Sequence, residues 1–222
     1  MTPKSFVDEL ASVSLTDVFN PYSDRCSTFD LPDGPALRRR NLRRYLTAIE
    51  ALKTDTVWMG RDLGYRGGRR TGLALTDEAG LGEVRAYYPG AEVVRATHGP
   101  AIKERTATEI WDVIRNLTRP PLLWNVFPLH PHEAGEYFSN RRFTARELRA
   151  VSDLNHALIR WLGIKRIVSI GQDAAKYATD FGVEISCVRH PSYGGVRDFR
   201  SGIYGLYADE LKSVTERQVG LF

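Results

Sequence analysis

Short apolar runs alternate with longer amphipathic stretches along this chain, and the alternation predicts its elements. TVWM, LLWNV, KRIVSIG and EISCVRH are apolar on both faces and read as strands buried in a sheet. Residues 4–13 read as a short amphipathic helix. Pro35 opens a long one to about Lys53, with Leu37, Leu42, Tyr45, Leu46 and Ile49 as its apolar stripe. ERTATEIWDVIRNL is a third helix, stopped by Pro120 and Pro121. Thr144 and Glu147 form a capping box that opens a fourth, closed by Gly163. QDAAKYATDFG and a stretch from about Ile203 to Val219 complete the helices. Residues 16–34 and 77–103, with GRDLGYRGGRRTG, FPLHPHEAGEYFSNRR and PSYGGVRDFRSG, carry the glycines, prolines and polar residues of loops. Helices and strands thus alternate, which predicts an α/β fold: a three-layer α/β/α sandwich around a four-stranded, mostly parallel sheet. One domain is expected over 1–222, with a helical extension at 1–53, a core at 54–202 and a C-terminal helix at 203–222.

Composition narrows the class. A chain of 222 residues, 42% hydrophobic and 26% charged, has the balance of a soluble globular protein that needs no staples. No run is long and apolar enough to cross a membrane, and MTPKSFVDELASVS lacks the apolar core of a signal peptide. A cytoplasmic monomer is expected. The two cysteines, Cys26 in a loop and Cys187 in a buried strand, lack metal-ligand spacing and cannot hold an iron–sulfur cluster by themselves. A net charge of +4 permits a polyanionic partner without requiring one. The run Arg38, Arg39, Arg40, Arg43, Arg44 reads as a solvated helix face. Arg66, Arg69 and Arg70, and Arg141 with Arg142, adjoin polar signals and are candidate phosphate contacts. HPHE at 130–133, with His98, has the wrong spacing for a helical zinc motif, so no metal or cofactor is expected.

Three polar residues follow three of the apolar runs: Asp62 after TVWMG, Asn125 after PLLW, and His190 after ISCV. They lie about 60 residues apart, so only the fold can assemble them, at the sheet edge where open α/β sheets bind ligands. A carboxylate there can orient water or stabilise a cation. An amide can pair with the N3–H and O4 edge of uracil. A neutral imidazole can donate to a developing oxyanion. Each also has a structural reading: a turn aspartate, a loop-tying asparagine, a strand-capping histidine. Gly171, opening a helix after a strand, can seat a phosphate. Trp58, Trp111, Trp124 and Trp161 fall within predicted elements and read as core.

Taken together, these residues resemble the uracil-DNA glycosylase superfamily. Its first motif, GQDPY in the best-known members, corresponds to GRDLGY; its apolar strand ending in asparagine corresponds to LLWN; its last motif, HPSPLS, corresponds to HPSYGG. TGLALT is similar to the segment carrying the base-stacking aromatic, and SIGQDAA to the turn that touches DNA phosphate. The resemblance spans roughly residues 54–202. It implies a monofunctional enzyme that flips uracil out of DNA, single- or double-stranded, and hydrolyses its N-glycosidic bond, leaving an abasic site for base excision repair. In that reading Asp62 positions the water and stabilises the sugar cation, and His190 stabilises the uracil anion. Asn125 reads the base edge. Gly60, Arg61, Gly64, Tyr65, Leu75 and Phe127 surround the base. Arg69, Arg70, Gly171, Gln172, Ser192, Tyr193 and Gly194 face DNA. Three positions depart from the pattern. Gly64 stands where a tyrosine bars the thymine methyl, with Tyr65 one place later. Leu75 stands where an aromatic stacks on the base, leaving Phe127 or Tyr65 to substitute. Gly194 stands where a leucine wedges into the duplex, leaving Tyr193, Val196 or Phe199. Two alternatives stay open: a glycosylase of the same superfamily for hypoxanthine, xanthine or mismatched thymine, and a catalytically silent module binding damaged DNA. A flavodoxin-like nucleotide-binding domain is the fallback at the level of fold.

Overall fold

A computed structural model describes residues 1–208. In chain order the elements are α1 (Pro3–Ser12), β1 (Val18–Phe19), α2 (Gly34–Leu52), β2 (Thr56–Asp62), α3 (Gly68–Thr71), α4 (Leu81–Tyr87), α5 (Arg105–Ile114), β3 (Leu122–Phe127), β4 (His130–Pro131), α6 (Ala145–Leu162), β5 (Arg166–Ile170), α7 (Gln172–Ala178), β6 (Glu184–Val188) and α8 (Val196–Leu206). A single turn of 3₁₀ helix, Thr179–Phe181, follows α7. β3, β2, β5 and β6 form the predicted sheet in that order, every pairing parallel. The chain runs from β2 outward to β3, then crosses to β5 and on to β6. The ends of β2 and β5 therefore flank the point where the winding reverses, the place where open α/β sheets bind ligands.

The reasons are local. β2 and β3 are buried almost throughout, as strands covered on both faces must be. The Thr144 hydroxyl accepts from the Glu147 N–H while the Glu147 carboxylate accepts from the Thr144 N–H, and Gly163 ends α6 in the left-handed region. Trp58, Trp111 and Trp124 are buried, and Trp161 packs on their cluster half-exposed, donating to Glu50 at 3.0 Å.

Several expectations need correction. β1 pairs antiparallel with β4 in a two-strand ribbon too short to show any period in sequence. α4 lies within the stretch read as loop. α8 starts at Val196, inside PSYGGVRDFRSG, and residues 209–219 of the expected C-terminal helix lie outside the described residues. Cys187 is exposed on the edge strand β6, while Cys26, placed in a loop, is buried. The arginine run of α2 is not wholly solvated. Arg38 is fully buried, gripping Asp30 at 2.7 and 2.9 Å and the carbonyls of Pro21 and Asp24, so it locks the 20–30 loop onto the helix. Among the described residues no helix is long and apolar enough to cross a membrane.

Candidate active site

Asp62 is the last residue of β2, paired across to Phe127 of β3, with its side chain 8% exposed. Burial holds its carboxyl above the usual carboxylate range, and Arg61 pulls the other way. Arg61 Nε donates to Asp62 Oδ2 at 2.6 Å, and its Nη1 to Asp173 Oδ2 at 3.1 Å. The exposed Arg142 reaches the same Asp173 oxygen at 3.1 Å. The carboxylate is thus wired to the surface through alternating charges.

The loop after Asp62 is pinned from three sides. The Leu63 N–H donates to the Leu129 carbonyl at 3.2 Å. His130 Nδ1 donates to the Leu63 carbonyl at 2.7 Å, and the Tyr65 N–H donates to Asn140 Oδ1 at 3.1 Å. His130 is fully buried, and its pKa is pushed down to about 4, chiefly by burial and then by Arg69 and His132. It stays neutral and acts as a fixed donor. Of HPHE, then, His130 is a brace for the loop after Asp62. Among the described residues no group of three His, Cys, Asp or Glu side chains could hold a metal.

Asn125 sits beside Gly60 in the β2–β3 register and is 1% exposed. Its amide makes no hydrogen bond among the described residues, and Oδ1 is sealed from solvent. Oδ1 lies where a Cβ on Gly60 would come within 2.5 Å of it, and the same Cβ would meet Leu75 Cδ2 at 3.0 Å. Gly60, Leu75 and Asn125 therefore share one wall. Leu75 is held there at φ +52°, a left-handed conformation costly for leucine and typical of functional strain.

His190 follows β6. Its Nδ1 accepts the Ser192 N–H at 3.1 Å and lies 2.7 Å from Ser192 Oγ. A backbone N–H can only donate, so Nδ1 carries no proton and Nε2 does. Burial, then Arg61 and Arg189, lower the imidazole pKa and keep the ring neutral. Gly171, at the end of β5 with φ +92°, would bring a Cβ within 3.1 Å of His190 Cβ, so the ring rests on a bare backbone.

The three strand exits thus converge along one sheet edge, while their neighbours sort differently from expectation. Arg69 and Arg70 face inward, 2% and 8% exposed. The Arg69 guanidinium lies 4.1 Å from the Phe19 ring centroid, and that of Arg70 lies 4.0 Å from Phe29. Neither offers its charge to a phosphate. Gly171 is buried and its N–H is taken by the Val188 carbonyl at 2.8 Å, so it seats His190 in place of a phosphate. Ser192 sets the imidazole tautomer. Phe127 is fully buried against Phe143, 5.2 Å between centroids, and has no face for a base. Phe199 is equally buried, but Tyr193, at φ +50° on the turn after Ser192, is 96% exposed. Gln172 and Gly194 are exposed, and Tyr65 is half-buried under the Arg66 guanidinium. Arg141 is taken by Glu147. Two residues escaped the sequence reading: His130, hidden in a proline-broken stretch, and Glu104, which belongs to no motif. A cavity of about 550 Å³ lies at the opposite end of the sheet, among Thr54, Arg119, Lys165 and Glu184, and none of the three exits lines it.

The fold is shared with a known glycosylase structure. The crystal structure of wild-type SMUG2 from Pedobacter heparinus matches with a TM-score of 0.59 over 99% of each chain, at 14% identity. No protein-family model and no curated protein matches the sequence. At that identity the likeness fixes the arrangement of helices and sheet, and the chemistry rests on the residues.

Proposed function

We propose that this protein is a monofunctional uracil-DNA glycosylase. The observation that carries the proposal is a neutral imidazole with its free N–H fixed on Nε2, placed at the same sheet edge as a desolvated carboxylate and an unpaired amide. SMUG2, the structural neighbour, is a glycosylase of the uracil-DNA glycosylase superfamily, which favours the reading.

The chemistry follows from the groups. As the C1′–N1 bond of a flipped deoxyuridine breaks, positive charge grows on the sugar and negative charge on the base. The Asp62 carboxylate, held in a poorly solvated place, attracts that cation and orients water toward C1′. His190 Nε2–H donates to uracil O2 and stabilises the departing anion without first giving up its proton. The Asn125 amide supplies a donor for O4 and an acceptor for N3–H, which cytosine presents in the reverse sense. Water completes the hydrolysis, leaving an abasic site. No lysine lies in or beside GRDLGY, LLWN or HPSYGG, which argues against a Schiff-base lyase step there. A DNA phosphate would compete with Asp173 for Arg142, while Tyr193, projecting from the turn after His190, is the side chain positioned to fill the space left by the flipped base.

A uracil-containing oligonucleotide, single- or double-stranded, is incubated with the protein and cleaved with alkali. Strand breaks at uracil are expected, with orders-of-magnitude loss in Asp62→Asn and His190→Ala. No breaks on either substrate would refute the activity, and full activity in both variants would refute the site. A second reading, excision of another lesion, is favoured by the space at Gly64 and the non-aromatic Leu75; a panel of modified bases separates the two.

A further inference from the structure

Glu104 lies over the loop that leaves Asp62. A Cβ on Gly64 would sit 3.4 Å from Glu104 Oε1, and one on Gly67 would collide with Oε2. Gly64 is two residues past Asp62, so chain reach keeps their Cα atoms within about 7 Å. The mount is rigid. Asp77 Oδ2 accepts the Glu104 N–H at 2.6 Å, and Glu78 Oε2 accepts the Ile102 N–H at 2.9 Å. Glu78 is itself tied to Arg70 at 3.1 Å. The Glu104 carboxyl, by contrast, makes no hydrogen bond or ion pair among the described residues. Burial, with Asp77, raises its pKa, and Arg66 opposes the rise. Glu104 is half-buried on a fixed support and no protein donor among the described residues takes its carboxyl, so a donor carried by a ligand can reach it.

A pyrimidine has three polar or reactive edges. With His190 on O2 and Asn125 on N3–H and O4, the edge that remains is C5–C6. Gly64 and Gly67 carry no side chains, and the Glu104 carboxyl lies against both. We propose that Glu104 is a specificity-determining residue that faces the C5 substituent of the flipped base, taking a hydrogen-bond donor or cation there and turning away an anion. The proposal rests on the glycosylase reading and deepens it. A methyl group pressed against this carboxyl would strip its water and return no hydrogen bond, so thymine is disfavoured by the same group.

The test compares release of 5-aminomethyluracil and 5-carboxyuracil from otherwise identical oligonucleotides by wild type and Glu104→Gln. The two bases differ in leaving-group ability, but that difference is common to both proteins. A partly folded variant lowers both rates equally and leaves their ratio intact. The ratio of kcat/KM, aminomethyl over carboxy, should fall roughly ten- to a hundred-fold in Glu104→Gln, the range for a hydrogen bond to a charged group. An unchanged ratio, or no release of 5-aminomethyluracil by wild type, overturns the role of Glu104. Failure of wild type to release uracil itself overturns the glycosylase reading instead.

Discussion

Asn125 offers a sharp test because the free protein bears a cost for it. Its carbonyl is sealed from water and has no hydrogen-bond partner, and such a group destabilises a fold by about 1–3 kcal/mol. Asn125→Val removes both amide atoms and suits a strand buried on both faces. It leaves a gap of about one atom beside Gly60, which gives back part of the gain. The net expectation is a protein more stable by about 1 kcal/mol, raising Tm by about 2–4 °C for a chain of this size. Uracil release should meanwhile fall at least about a hundred-fold, as when a buried polar reading group is lost. Urea unfolding followed by fluorescence gives the first number, and single-turnover kinetics on a uracil oligonucleotide the second. A variant that is less stable by 1 kcal/mol or more would mean the amide holds the loop. A variant with undiminished uracil release would mean it reads no base.

Three further outcomes follow from the same geometry. Gly60→Ala pushes a Cβ to 2.5 Å from Asn125 Oδ1 inside a strand paired on both sides, so the amide must rotate and kcat/KM for uracil should drop about ten-fold or more, measured on single-stranded substrate. Tyr193→Ala removes an exposed ring and should raise KM on duplex far more than on single strands; equal effects on both would end its assignment to the duplex gap. His130, with a folded pKa of about 4 against an ordinary 6.5, is protonated first in the unfolded chain, so stability is full above pH 6.5 and is lost as pH falls toward 4. That loss is of order 3 kcal/mol. His130→Asn, which can keep the donor to Leu63 without titrating, should flatten the pH dependence of unfolding free energy over that window, and a parallel curve would refute it.

How far the sequence spoke depended on whether its signals were local. The capping box at Thr144 and Glu147, the αL glycine at 163 and the doubly buried strands β2 and β3 are written in neighbouring residues and appear where expected, whereas β6 is half-exposed. The positions of Asp62, Asn125 and His190 were legible for the same reason, since each is tied to the end of an apolar run. Arg38, Arg69 and Arg70 misled because what buries them is brought in by loops: the 20–30 loop folding back onto α2 for the first, and Phe19, Phe29 and Phe138, distant in the chain, for the others. Cys187 misled because the apolar run EISCV was read as buried on both faces, while β6 is a half-exposed edge strand. Glu104 gave no signal at all. Its position over Gly64 and Gly67 depends on Asp77 and Glu78 folding back onto the 102–104 segment.

The glycines carry the deeper lesson. In sequence, a glycine-rich turn beside a helix invites a phosphate, because bare N–H groups are what phosphates bind. Here the functional side chains rest on glycines instead. Asn125 lies on Gly60, His190 on Gly171, and Glu104 on Gly64 and Gly67. The Gly171 N–H is already used within the sheet end, so that turn has no donor left to give. Glycine at these places lets a side chain approach the backbone more closely than any Cβ would allow. The positive charge for DNA must then come from elsewhere, and Arg66, Arg142 and Arg189 are exposed arginines on the loops around the site. Since Arg142 shares Asp173 with Arg61, and Arg61 holds Asp62, this exposed cation is three contacts away from the proposed catalytic carboxylate. Drawing Arg142 away would leave Asp173 to Arg61 alone and loosen the hold of Arg61 on Asp62. In this arrangement, binding the backbone of DNA would be coupled to freeing the carboxylate proposed to orient the attacking water.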